Sequence, residues 1–293
     1  MTFNTEQEIF QFQGRLLKLS HSSLTTNTKM DVNVFLPPQA LETSSSKTPV
    51  LVYLSGLTCT PNNASEKSFL QYFGTKYGFA VVFPDTSPRG AGIAGEDESY
   101  DFGTGAGFYL DATEEPWLKN YNMYSYVHKE LLTELAKQFS QLDFENKISI
   151  LGHSMGGYGA LTGFFKNPGK YRSVSAFAPI SNPLNCPWGE KAFGNYLGKN
   201  KQAWYEYDPT HLIKNYSNGN QPDILIHQGS KDGFYHKDHQ LQPENFVKAA
   251  KEAGYKGNID LRIVDGYDHL YFFISSFVED HAKHHAKFLG LLD

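Results

Sequence analysis

Only two cysteines, Cys59 and Cys186, occur in 293 residues, and neither sits in a C-x-x-C pair. A disulfide framework is therefore excluded, and reduced thiols in a cytosolic compartment are expected. No apolar run approaches the roughly 20 residues that a bilayer-spanning helix needs, so no membrane partner is expected. The N-terminal MTFNTEQEIF is polar and acidic, with neither a signal-peptide core nor an Arg-rich transit helix. The C-terminal FLGLLD carries no lipidation or organelle address, which leaves the cytoplasm as the expected location. A formal net charge of −5 and the lack of a Lys/Arg stripe argue against a nucleic-acid partner. Internal repeats are missing too. The one low-complexity patch, ETSSSK (42–47), reads as a surface turn.

What is present is the composition of a globular protein with a substantial core: 40% hydrophobic, 19% charged, and 15% aromatic residues. IFQFQGRLLKLS (9–20) and MDVNVFLP (30–37) alternate apolar and polar residues, predicting a half-exposed antiparallel strand pair. The pattern then changes. PVLVYLSG, FAVVFPD, KISILGHS, RSVSAFAP, DILIHQGS and IDLRIVDG are short, apolar and rich in β-branched residues, as strands of a covered parallel sheet are. Between them lie helical patterns. In residues 124–139, Val127, Leu131, Leu132, Leu135 and Phe139 share one face. ENFVKAAKEAG follows Pro243 and stops at Gly254, and the stretch from His269 to Leu292 reads as a terminal helix. Alternating strands and helices predict one α/β domain over residues 1–293, a mostly parallel sheet with helices on both faces. Residues 86–123 lack regular patterning and read as a functional loop excursion.

Gly152-His153-Ser154-Met155-Gly156 fits G-x-S-x-G, directly after the strand KISIL and before the helix-like YGALTGFF. In that setting a serine occupies a strained turn and exposes its hydroxyl above the sheet edge. A glycine-rich connection without chemistry would carry the same five residues, so a base and an acid must be found. His269 follows the last strand and precedes the terminal helix, where this chain order places the base. His281, His284 and His285 lie inside that helix and are expected to be solvated. His153 is expected to pack or hydrogen-bond, and His227 to be buried and satisfied. Asp232, after DILIHQGS, is the expected acid that orients the imidazole. Asp268 is a rival better suited to capping a helix, and Asp238 is a weaker one. The Met155 N–H and the Leu57 N–H in SGLTC are the expected oxyanion donors. His236, Asp238 and His239 form an HxDH cluster that reads as a solvated loop rather than a metal site; no metal or cofactor is expected.

YLSGLTC (53–59), FPDTSPRG (83–90), GEDESYDFGTGAGFYLDAT (95–113), GHSMGG (152–157), CPWGEKAFGNYLG (186–198) and GYDH (266–269) together resemble the S-formylglutathione hydrolase, or esterase D, family of the α/β-hydrolase superfamily. The resemblance runs across nearly the whole chain. It implies a cytosolic homodimer that splits a small-molecule glutathione thioester, S-formylglutathione, into formate and glutathione in formaldehyde detoxification. Ser154, Asp232 and His269 would be its triad, and Leu57 and Met155 its oxyanion donors. PNNASEKSF (61–69) and Leu270 depart from the family pattern and put acyl-chain preference in doubt. Trp188, Tyr109 and Cys59 are expected around the substrate, with Tyr100 and Phe108 as further aromatic candidates; core packing is the alternative for all four aromatic residues. Arg89, Lys67 and Lys191 are candidates for the glutathione carboxylates. The same triad would also serve a general carboxylesterase or an acyltransferase, and a non-catalytic binding module on this scaffold is the alternative from another class.

Overall fold

Nine strands form one sheet in the computed structural model, which describes residues 2–42 and 46–292. The centre of the ETSSSK patch, residues 43–45, lies outside the described residues. The strands are β1 (Asn4–Gln11), β2 (Gly14–Ser22), β3 (Lys29–Leu36), β4 (Thr48–Leu54), β5 (Ala80–Pro84), β6 (Leu142–His153), β7 (Val174–Phe177), β8 (Ile224–Gly229) and β9 (Ile259–Val264). Their order is β1-β2-β3-β5-β4-β6-β7-β8-β9. From β5 through β9 every neighbouring pair is parallel; β1, β2 and β3 join antiparallel.

The antiparallel part differs from expectation. Residues 9–20 are not one strand: Phe12 and Gln13 both take positive φ (48° and 63°), and the chain turns back on itself there. Two residues at positive φ make the tight turn whose twist suits a hairpin. Neither is the Gly, Asn or Asp that would have signalled it, so three antiparallel strands stand where two were expected. All six apolar strands expected for the parallel part form. Every residue of β4 is buried, as a strand covered on both faces requires.

Neighbouring residues of β7 show how the faces are covered. Ser175 hydrogen-bonds the helix Tyr271–Phe288 through His281 and His285. A Cβ on Gly157, in the helix Met155–Lys166, would lie 3.3 Å from the Cβ of the adjacent Ala176. Successive strand residues point to opposite faces, so these two helices lie on opposite sides of the sheet. The face predicted for residues 124–139 is buried throughout, although Tyr126–Leu131 winds as a π-helix. The helix Pro243–Ala253 ends at Gly254 with φ 68°, a left-handed cap that glycine adopts without strain.

Candidate active site

β4, β6, β8 and β9 run parallel, so the loops that follow them leave the sheet at one edge. These loops carry Leu57, Ser154, Asp232 and His269. Gly56, Leu57, Thr58, Cys59, Tyr100, His153, Ser154, Trp188, Phe234 and His269 enclose a cleft of about 190 Å³. A larger depression of about 500 Å³ lies beside β9 and the C-terminal helix, but it has no Ser, Thr or Cys among its walls.

Ser154 is the junction between β6 and the helix Met155–Lys166, with φ 57° and ψ −119°. An L-residue pays for such a backbone with strain of roughly 1–3 kcal/mol, held in place by the surrounding packing. The glycines around it are sterically required. A Cβ on Gly152 would sit 2.1 Å from the Gly156 oxygen, and one on Gly156 would sit 1.9 Å from the Leu54 oxygen. The Ser154 N–H donates to the Phe177 carbonyl at 2.9 Å, which ties the turn to β7. The serine is 3% exposed, and its Oγ makes no hydrogen bond to a protein group among the described residues. His269 joins it as a wall of the same cleft; such contacts commonly tighten only when substrate is bound.

Asp232 is fully buried and caps the short helix Gly233–His236. Its Oδ1 accepts the Phe234 N–H at 2.9 Å, and its Oδ2 accepts the Gln228 amide at 3.0 Å. The same Oδ2 lies 2.6 Å from His269 Nδ1. Burial alone would raise this carboxyl, but hydrogen bonds from His269, Gln228 and Phe234, with the attraction of the imidazole, hold it below the ordinary value. Paired so, Nδ1 carries the proton and Nε2 is left with the lone pair. The rival Asp268 is exposed and accepts the Leu270 N–H at 2.9 Å, while Asp238 is exposed on its loop.

The Leu57 loop lies against the serine: a Cβ on Gly56 would be 3.1 Å from Ser154 Cβ. Residues from the irregular 86–123 excursion clamp it. Thr58 N–H donates to Gly105 O at 2.9 Å, and Arg89 reaches the Cys59 carbonyl at 2.8 Å while pairing with the buried Asp85 at the same distance. The Leu57 N–H has no acceptor among the described residues. Met155 opens its helix, where an N–H has no partner within the helical ladder.

Trp188 and Cys59 line the cleft, but Tyr109 does not. It is 1% exposed, packs against Gly159, and donates its hydroxyl to the Ser55 carbonyl at 2.9 Å. Tyr109 thus supports the Leu57 loop from beneath. Phe108 is buried likewise, whereas Tyr100 reaches the cleft. Cys59 is pushed up by burial more than Tyr271, Lys67 and Arg89 lower it, so its thiol stays protonated. Arg89 is occupied by Asp85, and Lys191 by Asp101 and Ser99. Lys67 stands 5.9 Å from the Tyr271 ring. The departures at 61–69 and 270 do not touch the cleft. Pro61–Lys67 is a helix capped by Thr60 and Asn63, and Leu270 is exposed.

Two site residues escaped the sequence reading: Gln228 supports Asp232, and Phe234 meets the His269 ring at 5.0 Å, while His153, expected to pack or hydrogen-bond, packs on that ring at 4.5 Å. A polar Gln inside the apolar strand ILIHQG was the available signal for the first. His281 and His285, expected in solvent, are fully buried instead. Among the described residues no group of His, Cys, Asp or Glu is arranged to hold a metal ion, and no helix is long and apolar enough to cross a membrane.

Residues 23–284 match the esterase family, described as "Putative esterase". An S-formylglutathione hydrolase from Saccharomyces cerevisiae is 50% identical over 290 residues, 95% of this chain and 96% of that protein. One from Arabidopsis thaliana is 53% identical over 280 residues, 96% of this chain and 95% of that one. The solved structure of an S-formylglutathione hydrolase from Agrobacterium tumefaciens superposes with a TM-score of 0.91 at 44% identity, covering 98% of this chain and 100% of that chain. The chain belongs to the S-formylglutathione hydrolase family of esterases.

Proposed function

We propose that this family member hydrolyses S-formylglutathione to formate and glutathione through a formyl-serine at Ser154, and so serves formaldehyde detoxification. One observation carries the mechanism: a serine on a strained turn shares a small cleft with a histidine whose Nδ1 is fixed by a buried, fully hydrogen-bonded carboxylate.

His269 Nε2 accepts the Ser154 proton as Oγ bonds to the formyl carbon. Asp232 stays ionised and stabilises the imidazolium. The oxyanion turns toward the N–H groups of Leu57 and Met155. The C–S bond then breaks, and the departing glutathione sulfur takes the proton from His269, which returns the imidazole to its neutral form. A thiolate leaves far more readily than an alkoxide, so addition is the demanding part of acylation. His269 next deprotonates a water, which adds to the formyl ester; formate departs and the proton returns to Ser154.

The cleft volume supports this substrate. About 190 Å³ is below the usual 300–1,000 Å³ of a ligand pocket, so it suits the formyl thioester while the peptide part lies along the rim. Trp188 and Cys59 would border the acyl group. A general carboxylesterase is the second reading, favoured by the same small apolar cleft. Kinetics with S-formylglutathione and a short aryl ester at matched enzyme concentration separate the two: higher kcat/KM on the ester overturns our ranking. We assign the protein to the cytoplasm as a homodimer on the family resemblance; two buried free thiols accord with a reducing compartment. Cell fractionation and light scattering test these assignments.

A further inference from the structure

His153 lies at the cleft. It is 6% exposed, and among the described residues neither ring nitrogen makes a well-formed hydrogen bond, although the backbone of His269 lies close enough to act on the ring. Burying such a group unpaired is unfavourable, and the exceptions in folded proteins gather where chemistry uses them. What His153 does touch is aromatic. Its ring centroid is 4.5 Å from that of His269, tilted by 42°, and 5.9 Å from that of Tyr271.

We propose that His153 is a positioning residue whose neutral ring supports the charge His269 acquires as Ser154 gives up its proton. The inference rests on the function proposed above. Two imidazolium ions in contact repel strongly, so the pair takes up at most one extra proton in the working range. Asp232 decides its place, because it bonds to His269 and no carboxylate faces His153. Burial, and then the charge of His269, push His153 well below its ordinary value, against a weaker opposing effect of the His269 backbone. From the C-terminal helix it faces Tyr271, behind which stand Cys59, Tyr53 and the Lys67 ammonium; from the β4 loop it faces Gly56. None of these supplies a proton to it near neutrality.

A neutral aromatic face attracts a cation more than a neutral ring. His269 is neutral at rest and cationic in the transition state, so the contact favours the transition state and should be expressed in kcat.

The test compares His153→Leu and His153→Phe with the wild type in kcat and KM for S-formylglutathione, in the pH dependence of kcat/KM, and in an NMR titration of the His269 ring. His153→Leu should lower kcat about tenfold with KM little changed. The His269 titration and the acid limb of the profile should both move to lower pH. His153→Phe, which keeps an aromatic face, should bring the titration back toward the wild-type position. If His153→Leu leaves the titration in place, whatever it does to the rate, His153 only fills space and the proposal fails. It fails equally if His153→Phe titrates like His153→Leu. The NMR arm needs no turnover, so either failure is distinguishable from failure of the proposed hydrolysis.

Discussion

Asp232 uses both carboxylate oxygens, one on the Phe234 N–H and the other on Gln228 and His269. Asn at this position would turn an amide N–H toward Nδ1 and favour the wrong tautomer, since only a carboxylate accepts on both sides. Asp232→Asn should therefore lower kcat by roughly 10³–10⁴-fold with the fold retained, measured by steady-state kinetics beside circular dichroism. Gly156→Ala acts otherwise. Its methyl would meet the Leu54 carbonyl oxygen at 1.9 Å, and strand backbone cannot swing aside as a side chain can. Urea denaturation should show a loss of about 2–3 kcal/mol, and turnover should fall with it. The placement of Ser154, Asp232 and His269 just after β6, β8 and β9 was legible because chain order and strand ends restrict where such residues fall. Tyr109 was left between core and cleft because a tyrosine beneath a loop and one lining its cavity look alike in sequence. His153 was visible as a residue, but its contact with His269 depends on how two distant loops meet.

The C-terminal helix teaches the same lesson one level up. His281 and His285 continue the buried face of Ile274 and Val278 at helical spacing, so periodicity marked them as interior while their polarity suggested solvent. Serines on the sheet resolve the conflict. His227 Nδ1 meets His281 Nε2 at 3.0 Å, His281 Nδ1 meets Ser175 at 2.8 Å, and Ser175 meets His285 Nε2 at 2.7 Å. His285 Nδ1 then reaches Ser173 at 2.8 Å, and Ser173 reaches Ser149 at 2.8 Å. At the other end His227 Nε2 faces the Asp280 carboxylate at 3.6 Å. This row bolts the helix to three strands only while the imidazoles are neutral, because a protonated ring has two donors and no acceptor. Burial lowers His227 to about 4 and drives His281 and His285 well below the ordinary value of 6.5. Unfolded histidines thus bind protons that the folded ones refuse, so stability is full above about pH 6.5 and declines as pH falls toward 4. Urea midpoints measured from pH 7.5 to 4.5 should drop steadily, and an unchanged midpoint would contradict this account of the helix.

At the scale of the molecule, the sheet explains why residues so far apart in sequence share one cleft. Parallel strands deliver their following loops to one edge, and an apolar, β-branched run announces such a strand without an alignment. The hairpin at Phe12 and Gln13 was hidden because its turn carries none of the residues that normally mark one. How the 86–123 excursion packs was equally hidden, since Arg89, Gly105 and Tyr109 act through contacts rather than local pattern. We expect the described sheet and its helices to unfold as one unit, giving a single calorimetric transition. The most direct test of the whole account is steady-state hydrolysis of S-formylglutathione by the wild type and by Ser154→Ala, following thiol and formate together. The account predicts equal release of both products by the wild type and a loss of at least roughly 10³-fold in the variant, which should remain folded. Turnover by Ser154→Ala at the wild-type rate, or no thiol release by the wild type, would contradict it.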